Sequence, residues 1–184
     1  MTRRYARLMA LAMVIPLAAG LTIGRMDAAQ DTAQWWEASQ TRAQVVGDTR
    51  GKGHSRTVLT NPTPLSDELY RAVVDTCATN GVPVALALGL IEVESGFDAE
   101  AVGPDGHDVG LFQLRDSNHQ WLAEETGADP MTHVGNIECG VWLIGYLMDR
   151  YEVTDAALTA YRWGHDNGDR QYARAVQEAA EKWK

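Results

Sequence analysis

Residues 82–114 read VPVALALGLIEVESGFDAEAVGPDGHDVGLFQL. Wound as a helix, the first part of this run is apolar on every side, through Ala85, Leu86, Ala87, Leu88, Leu90, Ile91 and Val93. Such a helix has no face for solvent and must be enclosed by the rest of its domain. No segment elsewhere alternates over a useful length with the period of a strand, so the enclosing elements are expected to be helices. The run ends on two carboxylates, Glu92 and Glu94, followed by a loop punctuated with glycine and a short apolar segment carrying one amide, Gln113.

Helix boundaries can be read around this centre. Ser66 is placed to cap a helix with Asp67 and Glu68 in its first turn, where the dipole favours acids. Its face is Leu69, Val73 and Cys77, and Asn80-Gly81 ends it. Pro83 suits the first turn of the next helix. Ser117 is placed to cap a helix ending near Glu125 and Gly127. A long helix is expected from about Thr132, with Ile137, Val141, Ile144 and Met148 on one face; it is apolar nearly all round and is expected in the middle of the fold. A helix from Asp155 to about Trp163 closes at Gly164. Asp169 caps the last, with the stripe Tyr172, Val176, Ala179 and Trp183. The fold class expected is mainly α, one helical domain over residues 66–184.

What precedes residue 66 reads differently. Arg3, Arg4 and Arg7 stand before an apolar run over residues 8–24, as in a secretory signal. A signal peptide or an uncleaved membrane anchor over residues 1–29 is expected, and either means export to the periplasm or cell envelope. Residues 30–65 are polar, with Gly47, Gly51, Gly53, Pro62 and Pro64, and read as a linker or arm whose one oddity is Trp35-Trp36. The formal charge is −9; removing the +3 of residues 1–29 leaves −12 on the remainder. That balance argues against nucleic acid, whose phosphates demand Lys and Arg. Membrane contact is expected through residues 8–24 only. The two cysteines, Cys77 and Cys139, could pair in an exported chain, or remain as two buried thiols. The five His, at 54, 107, 119, 133 and 165, show no metal-ligand spacing.

Glu92 and Glu94 carry the chemistry. Burial, the negative end of the helix dipole and the neighbouring carboxylate all push a carboxyl pKa up at this place. An acid kept protonated near neutral pH can protonate a departing glycosidic oxygen. The two lie about 200° apart around the helix, so one cleft can use only one of them. Periodicity does not choose between them.

Four motifs in order resemble the lytic transglycosylases of the goose-type lysozyme-like group. They are Ile91-Glu92-Val93-Glu94-Ser95-Gly96-Phe97 for I-x-x-E-S-x-F, then Ala101-Val102 with Gly110-Leu111-Phe112-Gln113-Leu114 for A-V-(loop)-G-L-M-Q-L. Asp129-Pro130, Asn136-Ile137, Gly140 and Tyr146-Leu147 follow, and Ala160-Tyr161-Arg162-Trp163-Gly164 stands for A-Y-N-x-G. The resemblance implies a lysozyme-like helical domain that cleaves peptidoglycan between N-acetylmuramic acid and N-acetylglucosamine. It implies Glu94 as the catalytic acid/base and no cofactor. Ser95 would orient the carboxyl or a substrate group, Gln113 with the backbone around Phe112 would line the sugar cleft, and Tyr161 would hydrogen-bond near Glu94 and help set its protonation. Asn136 would hold helices together, and Glu92 would be structural or exposed.

Phe112 replaces the commonest Met, and Arg162 replaces Asn. A cation there could pair with Glu94 and weaken it as an acid, or grip a carboxylate of the substrate's peptide. The loop over 103–110 and the residues after it carry Asp105, Asp108 and Asp116, any of which could position a water. The outcome would then be hydrolysis, as in a muramidase. A non-catalytic glycan-binding or assembly module is the alternative of another class. The small domain has no repeat-type wall-binding module, which fits local wall opening. A secretion or conjugation apparatus, or a phage particle, would need such a cutter as a partner.

Overall fold

The computed structural model describes residues 59–184. The expected signal or anchor segment, Trp35-Trp36 and most of the expected arm lie outside the described residues. The described residues form six α-helices: α1 (Asp67–Asn80), α2 (Val84–Ser95), α3 (His119–Thr126), α4 (His133–Tyr151), α5 (Thr154–Trp163) and α6 (Gln171–Glu181). Between α2 and α3 lie two short strands, β1 (Asp108–Val109) and β2 (Leu114–Arg115), paired antiparallel with Asp108 opposite Arg115. Val102 adds an isolated bridge to Val109. These strands are too short to show an alternation that sequence could reveal.

The enclosed helix is α2. Every residue from Ala85 to Ile91 is buried, Gly89 included. It packs against α6 and α1, while α4 packs against α1, α3 and α5. Contact with α6 is close: a Cβ at Gly89 would stand 2.6 Å from the Val176 carbonyl oxygen and 2.8 Å from the Ala180 nitrogen. Only a residue without a side chain lets the two backbones approach this far. The long helix α4 sits among three neighbours, as its composition suggested, but buries one face only. Ile137, Val141 and Ile144 are wholly inside, while Trp142, Leu143, Tyr146 and Met148 are half-buried.

Capping follows the sequence in most places. Ser66 accepts from the Leu69 N–H, and Thr132 accepts from that of Gly135. Gly81, Gly127 and Gly164 end α1, α3 and α5 in the left-handed conformation that glycine tolerates. Ser117 does not cap α3. It lies inside a 3₁₀ turn over Asp116–Asn118 that leads into the helix. Asp169 accepts from the Gln171 N–H at 2.9 Å, at the entry to α6. Ahead of Ser66, Leu59 and Leu65 pack on the core and Asn61 donates to the Leu65 carbonyl.

Cys77 and Cys139 are both free and buried. Cys139 faces the Thr126 hydroxyl at 3.3 Å, where α4 meets α3, while Cys77 lies on α1. Burial pushes both thiols up from their ordinary range. Of the two arrangements the sequence allowed, the structure has the thiols. Among the described residues, no helix is long and apolar enough to cross a membrane.

Candidate active site

A cleft of about 900 Å³ opens where the end of α2, the β1–β2 loop, α4 and the junction of α5 with α6 converge. Its lining includes Glu94, Asp105, Asp108, Gln113, Arg115, Tyr161, Arg162, Trp163 and Tyr172. Helical spacing divides the two glutamates as expected from their angular separation. Glu94 faces the cleft, and Glu92 faces away, where its carboxylate takes the Trp183 indole N–H at 2.9 Å and pairs with Lys182. Both partners of Glu92 come from the end of the chain, and its role is to tie that end to α2.

Glu94 is largely withdrawn from water, and desolvation raises its pKa above the ordinary carboxyl value. A hydrogen bond from the Tyr172 hydroxyl and the charge of Arg162 pull it down, and Asp108 pushes it up. Desolvation is the largest of these influences. The expected polarity at this position, a carboxyl biased toward its protonated form, is therefore built by burial. The partner that reaches Glu94 is Tyr172, from the first turn of α6, and not Tyr161. Tyr161 instead donates to the Phe112 carbonyl at 2.8 Å. Its ring lines the cleft, and its hydroxyl fastens α5 to the opposite wall.

That wall is held from behind. The Asn136 side chain, 2% exposed, accepts from the Phe112 N–H at 2.9 Å. Its amide nitrogen donates to the carbonyls of Val109 at 3.0 Å and Pro130 at 3.2 Å. Gly110 takes φ +73°, and a Cβ there would lie 2.6 Å from the Asn136 amide nitrogen, so both backbone conformation and space demand glycine. The Phe112 side chain turns away from the cleft and is wholly buried, against Gly140, where an added Cβ would meet its ring at 2.2 Å. Phe112 thus meets the site through its backbone, and the apolar ring goes where water is excluded. Ser95 likewise faces backbone, with its hydroxyl 3.0 Å from the carbonyls of both Ile91 and Leu111. It joins the end of α2 to the wall and does not touch the Glu94 carboxyl. Gln113 does line the cleft. Its backbone sits at φ +45°, and its amide nitrogen donates to Ala101 at 3.1 Å and Gly110 at 2.9 Å. A non-glycine residue in this region costs on the order of 1–3 kcal/mol and persists only where its surroundings enforce it.

The acidic residues of the loop are committed. Arg115 holds Asp105 at 2.9 Å and Asp108 at 3.1 Å, and His107 holds Asp116 at 2.7 Å. The hydrogen bond from Arg115 keeps the Asp105 carboxyl below its ordinary range, and that from His107 does the same for Asp116. Among the described residues, no group of three or more His, Cys, Asp or Glu is arranged to hold a metal ion.

This arrangement has a counterpart among known families. Residues 74–184 match the family described as the transglycosylase SLT domain. The chain belongs to that family. Among solved structures, it resembles the X-ray structure of an inactive glutamate-to-glutamine mutant of the lytic transglycosylase Slt from Pseudomonas aeruginosa, with a TM-score of 0.52 and 16% identity. The likeness covers 64% of this chain and 24% of that one, so the chain spans about a quarter of that protein's length. At this identity the similarity concerns the fold. No curated protein matches the chain. The SLT-domain match covers every residue of the cleft described above, from the end of α2 to the first turn of α6.

Tyr172, like Arg115, is a cleft residue that sequence reasoning did not assign to the site. It was legible only as the first member of an apolar stripe. One signal was present: that stripe begins and ends with aromatic residues bearing donors, Tyr172 and Trp183, opposite a helix bearing two carboxylates. Each donor takes one carboxylate.

Proposed function

We propose that this SLT-domain chain is an exported peptidoglycan lytic transglycosylase that cleaves the N-acetylmuramyl–N-acetylglucosamine bond and closes a 1,6-anhydro ring on the muramyl product. The observation that carries the reading is the contrast among the carboxyls of the cleft. Desolvation biases Glu94 toward its acid form, while Asp105 and Asp108 are bound to Arg115. One protonated carboxyl and no available second base is the equipment for a reaction in which no water is activated.

In this reading Glu94 protonates the glycosidic oxygen as the bond to the muramyl anomeric carbon breaks. The cation that develops is stabilised by the substrate's own acetamido group. Glu94, now ionised, takes the proton of the muramyl C6 hydroxyl as that oxygen attacks the anomeric carbon, which restores the acid. Tyr172 occupies Oε1 of Glu94, leaving Oε2 to carry the transferred proton. The Tyr172 hydrogen bond favours the ionised form, which assists the second half of the cycle. Gln113 and the rings of Tyr161 and Trp163 give the cleft the mixture of amide and aromatic surface that suits a sugar. Local wall opening, alongside a secretion, conjugation or phage apparatus, is the setting that the small domain and the expected export segment suit.

Mass spectrometry of peptidoglycan digested by the full chain tests the proposal. Anhydromuramyl ends, lost in Glu94→Gln, are the expected products. Reducing muramyl ends would reverse it in favour of hydrolysis.

A further inference from the structure

Two arginines line the cleft, and they are held differently. Arg115 spends its guanidinium on Asp105 and Asp108. Arg162 makes no hydrogen bond or ion pair among the described residues. Its guanidinium carbon stands 5.7 Å from the centre of the Trp163 ring and 6.0 Å from that of Tyr172. Contact with ring faces holds a guanidinium in place without engaging its N–H donors. The result is an oriented, exposed fork on the cleft wall, next to the tyrosine that holds Glu94.

We infer that Arg162 is a carboxylate-docking residue of this cleft, and that the substrate is a glycan strand whose peptide stems still carry free carboxylates. The inference rests on the lytic reading above for its glycan and adds to it the charge of the substrate. Three observations support it. Arg162 stands where the family motif A-Y-N-x-G has a neutral amide, so a full charge has been placed on the cleft wall of this chain. The dipole at the end of α5 accounts for a cation in its last turn, but not for a fork held by two rings inside the cleft. Among the described residues no acid forms an ion pair with it, although the chain carries a net charge of −9. Carboxylate is the planar anion that a guanidinium fork matches with two parallel hydrogen bonds.

Docking has a consequence for the acid. Glu94 is faced by Tyr172 from α6, Arg162 and Tyr161 from α5, and Asp108 from β1. Of these, Arg162 is the cation that draws Glu94 toward ionisation. A substrate carboxylate on Arg162 offsets that charge, so an anionic strand strengthens the hold of Glu94 on the proton it must donate. A neutral strand does not.

The test uses soluble uncross-linked peptidoglycan strands in two forms: native, and with their peptide carboxylates converted to amides by carbodiimide and ammonia. The full chain carrying Glu94→Gln is titrated with both, so that binding is read apart from cleavage. The expected result is affinity for native strands about tenfold above that for amidated ones, equivalent to about 1.4 kcal/mol. Adding Arg162→Asn should abolish that difference, and Arg162→Lys should restore part of it. Equal affinity for the two strands, or a loss on Arg162→Asn that is the same for both, overturns the inference. Cleavage by the wild-type chain is scored separately. Docking without cleavage of either strand would count against the lytic reading and leave the carboxylate site standing.

Discussion

Replacing Asn136 by Ala should unfold the cleft from behind without touching it. The side chain is 2% exposed and makes three hydrogen bonds, to the Phe112 N–H and to the carbonyls of Val109 and Pro130. At a net ~1 kcal/mol per bond, their loss costs about 3 kcal/mol. The buried Phe112 N–H is then left without a partner, which adds about 1–2 kcal/mol. The expected destabilisation is about 4–5 kcal/mol, against a total stability on the order of 5–15 kcal/mol for a domain. At roughly 3–5 °C per kcal/mol for this size, the fall in Tm is about 12–25 °C. Urea and thermal denaturation followed by circular dichroism give both numbers. Asn136→Asp is the companion. It keeps the acceptor for Phe112 but turns the donor toward Val109 and Pro130 into a carboxylate oxygen facing two carbonyls. It should be at least as destabilised at pH 7, and the deficit should shrink in acid as the new carboxyl takes a proton and regains a donor. An Asn136→Ala variant within ~1 kcal/mol of wild type, with cleavage intact, would refute the argument that this amide holds the wall carrying Gln113.

Other expectations follow from the site. Glu94→Gln should lower cleavage by about 10²–10⁴, the usual worth of a general acid. It should also stabilise the fold in a pH-dependent way. The folded-state pKa of Glu94 lies above its ordinary value of 4.5, so the wild type loses stability as pH rises from that value through the raised one. The Tm advantage of the glutamine variant should therefore grow between pH 4 and pH 8, and an advantage independent of pH would contradict the burial of the acid. Tyr172→Phe removes a donor that favours ionised Glu94. The alkaline limb of kcat/KM should move to higher pH, and a limb that stays or moves down would show that the tyrosine does not act on the acid. Cys77 and Cys139 should both react with a thiol reagent only after unfolding, and Tm should not respond to reductant; the absence of both thiol equivalents under denaturing conditions without reductant would overturn their free state.

Much of the helical framework was legible because its signals are local. Ser66 as a cap, Gly81, Gly127 and Gly164 as terminators, and the all-apolar run before Glu92 act through their own turns of chain. Ser117 misled because a 3₁₀ turn competes with capping at that place. The short β1–β2 pair was invisible because two residues per strand cannot display a period.

The sequence by itself determined that the chain folds around one enclosed helix, that this helix ends on two carboxylates, and that only one of them can face a given cleft. These follow from hydrophobic period and helix geometry, which each segment carries alone. The tertiary structure decided what each polar group meets. Tyr172 reaches Glu94 across 78 residues of sequence, Tyr161 reaches the Phe112 carbonyl across 49, and Trp183 reaches Glu92 across 91. Partnerships of that span depend on how closely α2 and α6 approach at Gly89, and on which wall Asn136 anchors. Both are set by packing complementarity among segments far apart in sequence, which no local pattern encodes.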